Sequence, residues 1–332
     1  MISISGGGVL SAQNISDLNA NFTALEAQLS GSTGRVIYCY PASGALGTQD
    51  GSANNPYTDL ATAYAVGRSG YNDVIMLVGN GAASGSARLS SGMTWAKDAL
   101  HLIGVSSGVN ISNRSRIAPT SGATAFANFF TVSGSGCYFS NIQWFHGFET
   151  GTTAQICLTV TGGRNLFANC HVAGMGDAAS AQDAGSRNVK ISGTGENMFV
   201  DCVIGIDTVT RTVANASVEF ASGTPRNQFK QCVFPFMTSA AGVLGILGTG
   251  AACMDRFQLF DNCTFFNAIK STSTVMTVLG SLTSPSPGGL MLFKQCVLLG
   301  ITDYGDTNGL ANSYIDGFTG AAATSGIAVN PS

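Results

Sequence analysis

Charge is the first thing this sequence has little of: Asp, Glu, Lys and Arg make up only 10% of 332 residues, and the formal net charge is −3. Its fifteen basic residues stand singly, so no basic stripe exists to neutralise phosphates, and no nucleic-acid partner is expected. No run of eighteen apolar residues is present, so no membrane partner is expected either. The N-terminal "MISISGGGVL" has neither a charged leader nor a long apolar core, and no secretory signal is expected. Proline is scarce and no Gly-X-Y period argues for collagen. The nine cysteines contain no CxxC and no zinc-type spacing, and are too few for a disulfide scaffold of this length. They read as buried free thiols acting as small hydrophobes, in a protein folded in a reducing cytosol. No pair of ten-residue stretches with a 3.6 period recurs, which excludes a helical repeat.

What is present is glycine, at 43 positions, with much Ser, Thr, Ala and Asn between short apolar runs. The chain is too apolar for disorder and long enough for a sizeable core, and this composition points to a turn-dense all-β protein.

A repeat runs through it. "FANC" at 167–170 is followed by "FVDC" at 199–202, "FKQC" at 229–232, "FDNC" at 260–263 and "FKQC" at 293–296, with Phe-to-Phe steps of 32, 30, 31 and 33 residues. "FSNI" at 139–142 precedes them by 28, with Ile142 in the cysteine place. The aromatic column is therefore Phe139, Phe167, Phe199, Phe229, Phe260 and Phe293, and the thiol column Cys170, Cys202, Cys232, Cys263 and Cys296. Between them stand Asn141, Asn169, Asp201, Gln231, Asn262 and Gln295, which read as an amide ladder. Two residues after the thiol column every residue is apolar, from Trp144 to Leu298. Asn165, Asn197 and Asn227 each close a polar turn that follows a short β-type run such as "CLTV". Each unit reads as strand, turn, Phe-containing strand and Gly-rich loop. Stacked units would place equivalent residues at the strand spacing of about 4.8 Å.

With these columns the chain resembles single-stranded right-handed parallel β-helices of the pectate-lyase-like kind, over roughly residues 36–300. "GTQDGSANNPYTDLATAYAVGRSGYNDVIMLVGNG" (47–81) is similar to the module that opens many such β-helices, where a small helix covers the first coil. A solenoid end exposes core side chains and unpaired backbone, so it needs such a cap. Leu60, Ala63 and Tyr64 give the helix its apolar face, and "DVIMLVG" reads as the first full strand.

Residues 14–30, "NISDLNANFTALEAQLS", are the clear helix. Ile15, Leu18, Phe22, Leu25 and Leu29 are spaced 3, 4, 3, 4, the pattern of a coiled-coil seam. Two heptads are marginal alone, so the seam must pack on copies of itself, on another protein, or back on its own β-domain. The segment is similar to stems near the N-termini of bacteriophage fibre and spike proteins. The expected organisation is an attachment stem at 1–34, a β-helix at 35–300 (cap 35–81, coils 82–300) and a C-terminal tail or cap at 301–332.

Pectate-lyase-like folds host enzymes, so chemistry has to be weighed on the residues. A lyase needs converging carboxylates and a hydrolase needs an acid pair. The repeat columns hold one acid, Asp201; Asp177 and Asp183 lie in a loop that can approach His171 and Arg187, while Glu196, Asp207 and Glu219 read as isolated. His171 directly follows Cys170, which puts the two on opposite sides of a strand and disfavours a nucleophile pair. No phosphate loop or dinucleotide fingerprint is found. The expectation is therefore no catalytic residue, no metal and no cofactor. What the resemblance implies is a non-enzymatic virion protein of a bacteriophage, a homotrimeric decoration or spike on the capsid. The alternative is a tailspike or tail-fibre module that binds, or binds and cleaves, host-surface polysaccharide.

Overall fold

A computed structural model describes residues 34–42, 47–120, 126–147, 154–221, 223–250, 253–268, 274–282, 289–305, 313–315 and 327–328. The stem at 1–33, with Ile15, Leu18, Phe22, Leu25 and Leu29, lies outside the described residues.

The chain is an all-β right-handed parallel β-solenoid. Three parallel sheets run its length: an 11-stranded sheet A and two 8-stranded sheets, B and C. One coil passes through all three, as in Leu166–Ala168 (sheet A), His171–Ala173 (sheet B) and Arg187–Ile191 (sheet C). Successive coils pair in register, with Phe167 opposite both Phe139 and Phe199.

The inner columns account for the repeat. From Phe139 to Phe293 neighbouring rings lie 4.4–5.2 Å apart with planes within 15° of parallel. Each inner ring has a ring of the same size on both sides, and the end residues Phe139 and Phe293 pair in register with Leu102 and Ile315 beyond the stack. The thiol column sits beside it. All nine cysteines are free. Each column sulfur faces the carbonyl of the Phe one coil earlier, from Cys170 Sγ to Phe139 O at 3.6 Å to Cys296 Sγ to Phe260 O at 3.4 Å. Burial disfavours the thiolate at Cys170, Cys202, Cys232 and Cys263 alike, and it pushes Cys170 and Cys232 well above their ordinary range, while hydrogen bonds from neighbouring column thiols lower Cys202 and Cys263.

The amide column behaves differently from the expected ladder. Asn141, Asn169, Asp201, Gln231, Asn262 and Gln295 all have φ between 51° and 57°. Each forms, with the residue after it (Ile142 or a column cysteine), the two-residue corner between sheets A and B. Short polar side chains tolerate this left-handed backbone, which explains the column without a ladder. Hydrogen bonds between its side chains join Asn169 to Asn141 (3.1 Å), with Asn113 bonded to Asn141 beyond. The continuous ladder is instead one turn earlier. Cys137 N–H donates to Asn165 Oδ1 (2.8 Å), Asn165 N–H to Asn197 Oδ1 (3.0 Å), Asn197 N–H to Asn227 Oδ1 (3.1 Å) and Asn227 N–H to Gln258 Oε1 (3.2 Å). These buried amides satisfy backbone donors just before the strands of sheet A at Cys137, Asn165 and Asn197, and within the paired strands at Asn227.

The opening helix, α1 (Leu60–Val66), starts at Asp59, whose side chain accepts from Thr62 N–H at 2.8 Å. Leu60 and Ala63 are buried and Tyr64 packs on Trp95 with ring centroids 4.9 Å apart, so the apolar face read in the sequence covers the first coil. Lys97 Nζ donates to the carbonyls of Tyr64, Ala65 and Gly67 and so terminates the helix. At the other end the coils continue past residue 300: Ile301–Gly305 pairs with sheet C, Ser313–Ile315 with sheet A, and Ile327–Ala328 antiparallel to the latter.

Candidate functional site

The acids are engaged in structure. Asp177 caps a one-turn helix, α2 (Ala178–Ala181), by accepting from Ser180 N–H at 2.9 Å, and Asp183 accepts from Gly185 N–H at 2.7 Å. Arg187 turns to Glu219 instead (Nε to Oε2, 2.7 Å), and Glu219 also takes Lys190 (3.1 Å) and Thr249 (2.7 Å). Burial alone would raise the Glu219 carboxyl, but Thr249 and the two cations outweigh it and lower it. Glu196 lies between Arg164 (3.2 Å) and Arg226. Neither glutamate is isolated, because the partners stand about one coil away in sequence. Asp73, buried, gathers Arg35 and Arg68; burial opposes its ionisation, yet those hydrogen bonds hold it well below the ordinary carboxylate range. Arg211 is buried on Asn215 Oδ1 (2.6 Å), Ser217 Oγ (3.0 Å) and Leu244 O (3.1 Å), and burial together with the charge of Arg187 lowers it to about 9. Among the described residues no group of three or more His, Cys, Asp or Glu could hold a metal, and no helix is long and apolar enough to cross a membrane.

Two outer faces remain as sites. The first lies on sheet B. Outward positions of successive coils (Gln143 and Phe145, then His171 and Ala173, then Val203 and Gly205) form a floor that continues through Val233, Pro235 and Phe266. The walls are loops: Ile111 and Ser112 on one side, Ile206, Asp207 and Thr208 on the other. The cleft between them holds about 150 Å³. The segment 106–115, an unusually long A-to-B connection, leans over later coils, where Asn169 donates to Gly108 O at 3.0 Å. His171 organises the floor. Its Nε2 lies 2.9 Å from Gly205 O and its Nδ1 accepts from Ser112 N–H at 3.0 Å, which assigns the proton to Nε2. Burial lowers the histidine's pKa, against smaller opposing effects of Gly205 and Asp207. Gly205 has φ of 118°, and a side chain there would meet Pro235 O at 2.6 Å.

The second face is the outside of sheet A. Val36, Val74, His101, Tyr138, Leu166 and Met198 stand opposite one another along it, with a parallel row of Tyr38, Met76, Ile103, Ser140, Ala168 and Val200. Val36 is 54% exposed and the others are partly exposed. The second row ends where Lys230, Asp261 and Lys294 take over, with Lys294 and Asp261 paired at 3.1 Å, while the first is interrupted at Gln228 before Leu259 and Leu292. Among the described residues the connections beside this face are mostly short. From Tyr138–Ser140 onward the corners to sheet B are two residues long, and the turns from sheet C are short, such as 161–165. The earlier A-to-B connections, 79–86 and 106–115, are longer, and three further long insertions, 146–155, 174–186 and 205–215, join B to C.

No protein-family model matches the chain, and no curated protein matches it in sequence. Solved structures similar to it include pectin methylesterase PemA from Erwinia chrysanthemi, at 16% identity over 90% of this chain and 92% of that one with TM-score 0.54. Pectate lyase Pel9A is similar at 13% identity over 85% and 78%, with TM-score 0.51. At such identities the likeness establishes the fold alone. ORF18 of Geobacillus virus E2 matches at 12% identity over 92% of this chain and 64% of that one, with TM-score 0.44, which adds nothing further.

Proposed function

We propose that this chain is a non-enzymatic structural protein of a bacteriophage particle, a homotrimer fixed to the outside of the capsid by its N-terminal stem. The observation that carries the reading is the open apolar face of sheet A. Parallel sheets are ordinarily covered on both faces, and contiguous apolar patches beyond a few hundred Å² mark interaction surfaces. The occupant is a second copy of the chain. The rows are apolar over six strands, from Val36–Cys39 to Met198–Val200, before Gln228 and Lys230 interrupt them, a face roughly 25–30 Å tall at about 4.8 Å per strand. A copy of the same face matches it in height and in spacing, strand for strand. The apolar rows lie at the end of the solenoid that the stem joins, since residue 30 is six positions before Val36. A seam of Ile15, Leu18, Phe22, Leu25 and Leu29 and the face of sheet A therefore favour one and the same axis. The experiment is quantitative mass spectrometry of purified particles. Hundreds of copies per particle are expected of a capsid decoration, and a few to tens would reassign the chain to a tail or neck appendage. A second reading, a tail module that engages host-surface polysaccharide, is favoured by the sheet B cleft.

A further inference from the structure

We propose that the cleft on sheet B binds a single neutral sugar ring, either a monosaccharide or the end of a longer glycan. The proposal stands on the cleft's own geometry, so it and the oligomer reading can fail independently.

The starting point is Gln143, 2% exposed and lining the cleft. Its Nε2 lies 3.1 Å from His171 Nδ1. That nitrogen is an acceptor, because the ring's proton is on Nε2 facing Gly205 O. The Gln143 amide is therefore turned with its N–H toward the histidine, and its Oε1 is left buried with no partner. A buried acceptor without a donor is unfavourable, so the site favours a molecule that brings an O–H or N–H. The other group of fixed role, the Asp207 carboxylate at the rim, is also an acceptor.

Charge narrows the class. The Arg116 guanidinium sits 5.2 Å from the centroid of the Phe145 ring, which floors the cleft, and disfavours an ammonium there. Among the described residues no lysine or arginine lines the cleft, and Asp207 disfavours an anion. What remains is a neutral donor-rich molecule. The apolar surfaces of Phe145, Val233, Pro235 and Phe266 call for an equally apolar face on it, and the negative faces of the aromatic rings suit weakly positive C–H groups. A sugar ring combines a C–H face with hydroxyl donors at its edge. At about 150 Å³ the space is below the roughly 300–1,000 Å³ of sites that enclose drug-sized ligands, and takes one ring rather than a chain of them.

The test is saturation-transfer NMR on the full chain with methyl α-D-glucopyranoside, methyl β-D-galactopyranoside and N-acetylglucosamine, with choline and acetate as charged controls. At least one sugar is expected to receive saturation on its ring C–H protons, with a dissociation constant of about 1–10 mM. Phe266→Ala, on the outer face and away from the core stack, should weaken that binding about tenfold or more while the melting curve stays in place. Gln143→Leu should do the same by removing the acceptor. If Gln143→Leu fails to fold, Phe266→Ala decides. Silence from all three sugars, wild-type binding in Phe266→Ala, or choline or acetate binding in the cleft instead would each overturn the proposal.

Discussion

Sheets A and B carry the same kind of column on their inner faces and opposite arrangements outside. Inside, Phe167 of sheet A and Val172 of sheet B are both fully buried links in stacks that run from coil to coil. Outside, sheet B is overhung by residues 106–115 and 205–215, whereas the outward rows of sheet A stay partly exposed. Residue hydrophobicity alone does not produce the difference, since Leu166 and Met198 outside sheet A are as apolar as Val203 outside sheet B. Connection length does. A two-residue corner cannot fold back over a sheet, while an eleven-residue loop can, so the chain covers one face itself and leaves the other bare.

The strongest way to probe the shared interior is Phe199→Ala, which breaks the ring stack between neighbours at 4.4 and 4.8 Å. A loss of about 3–5 kcal/mol is expected in chemical denaturation. A cost confined to about 1 kcal/mol would mean that the coils slide to close the gap.

Acid should loosen the sheet B side more, since His146 and His171 there are more deeply buried than His101 of sheet A, which burial shifts the same way. His146, fully buried and stacked on Phe129 at 4.9 Å, is lowered by burial to about 3. Its folded value lies below its unfolded one, so its contribution is complete above about pH 6.5 and is lost as pH falls toward 3, by up to about 1.4 kcal/mol per unit. His171 shifts in the same direction. Hydrogen exchange near pH 5 is expected to quicken first in Gln143–Phe145 and His171–Ala173, and later in Leu166–Ala168. Simultaneous loosening would contradict that order.

The corner that keeps sheet A bare is a smaller effect. Asn169 has φ of 51°. Asn169→Val should cost about 1–2 kcal/mol, the penalty of a left-handed residue with a branched side chain, while Asn169→Gly should cost well under half of that. Equal costs would point to the Asn169 side-chain bond to Asn141 rather than the backbone.

Much of this architecture is legible in the sequence because a solenoid writes its geometry as a period. The Phe and Cys columns, the apolar column from Trp144 to Leu298 and the face of α1 all follow from spacing. The reason for Asn, Asp and Gln at the corner is not legible, since both a ladder and a left-handed backbone select the same residues. The buried ladder of Asn165, Asn197 and Asn227 shows in the sequence as turn residues; only the pairing of coils reveals its bonds to the next backbone. The partners of Glu196 and Glu219 stand roughly thirty residues off, and the residues 106–115 lean across coils whose positions depend on the whole fold. The cleft is the least legible element, for its floor comes from five strands and its walls from two loops without a common motif.

Sedimentation equilibrium of the full chain, beside the double variant Leu166→Glu and Met198→Glu, tests the central claim most directly. Both positions are partly exposed on the face of sheet A, so the charges leave the ring stack intact. The account predicts a trimer for the wild type and a folded monomer, or a trimer weakened by orders of magnitude, for the variant. A wild-type chain that stays monomeric, or a variant that assembles as the wild type does, would contradict it.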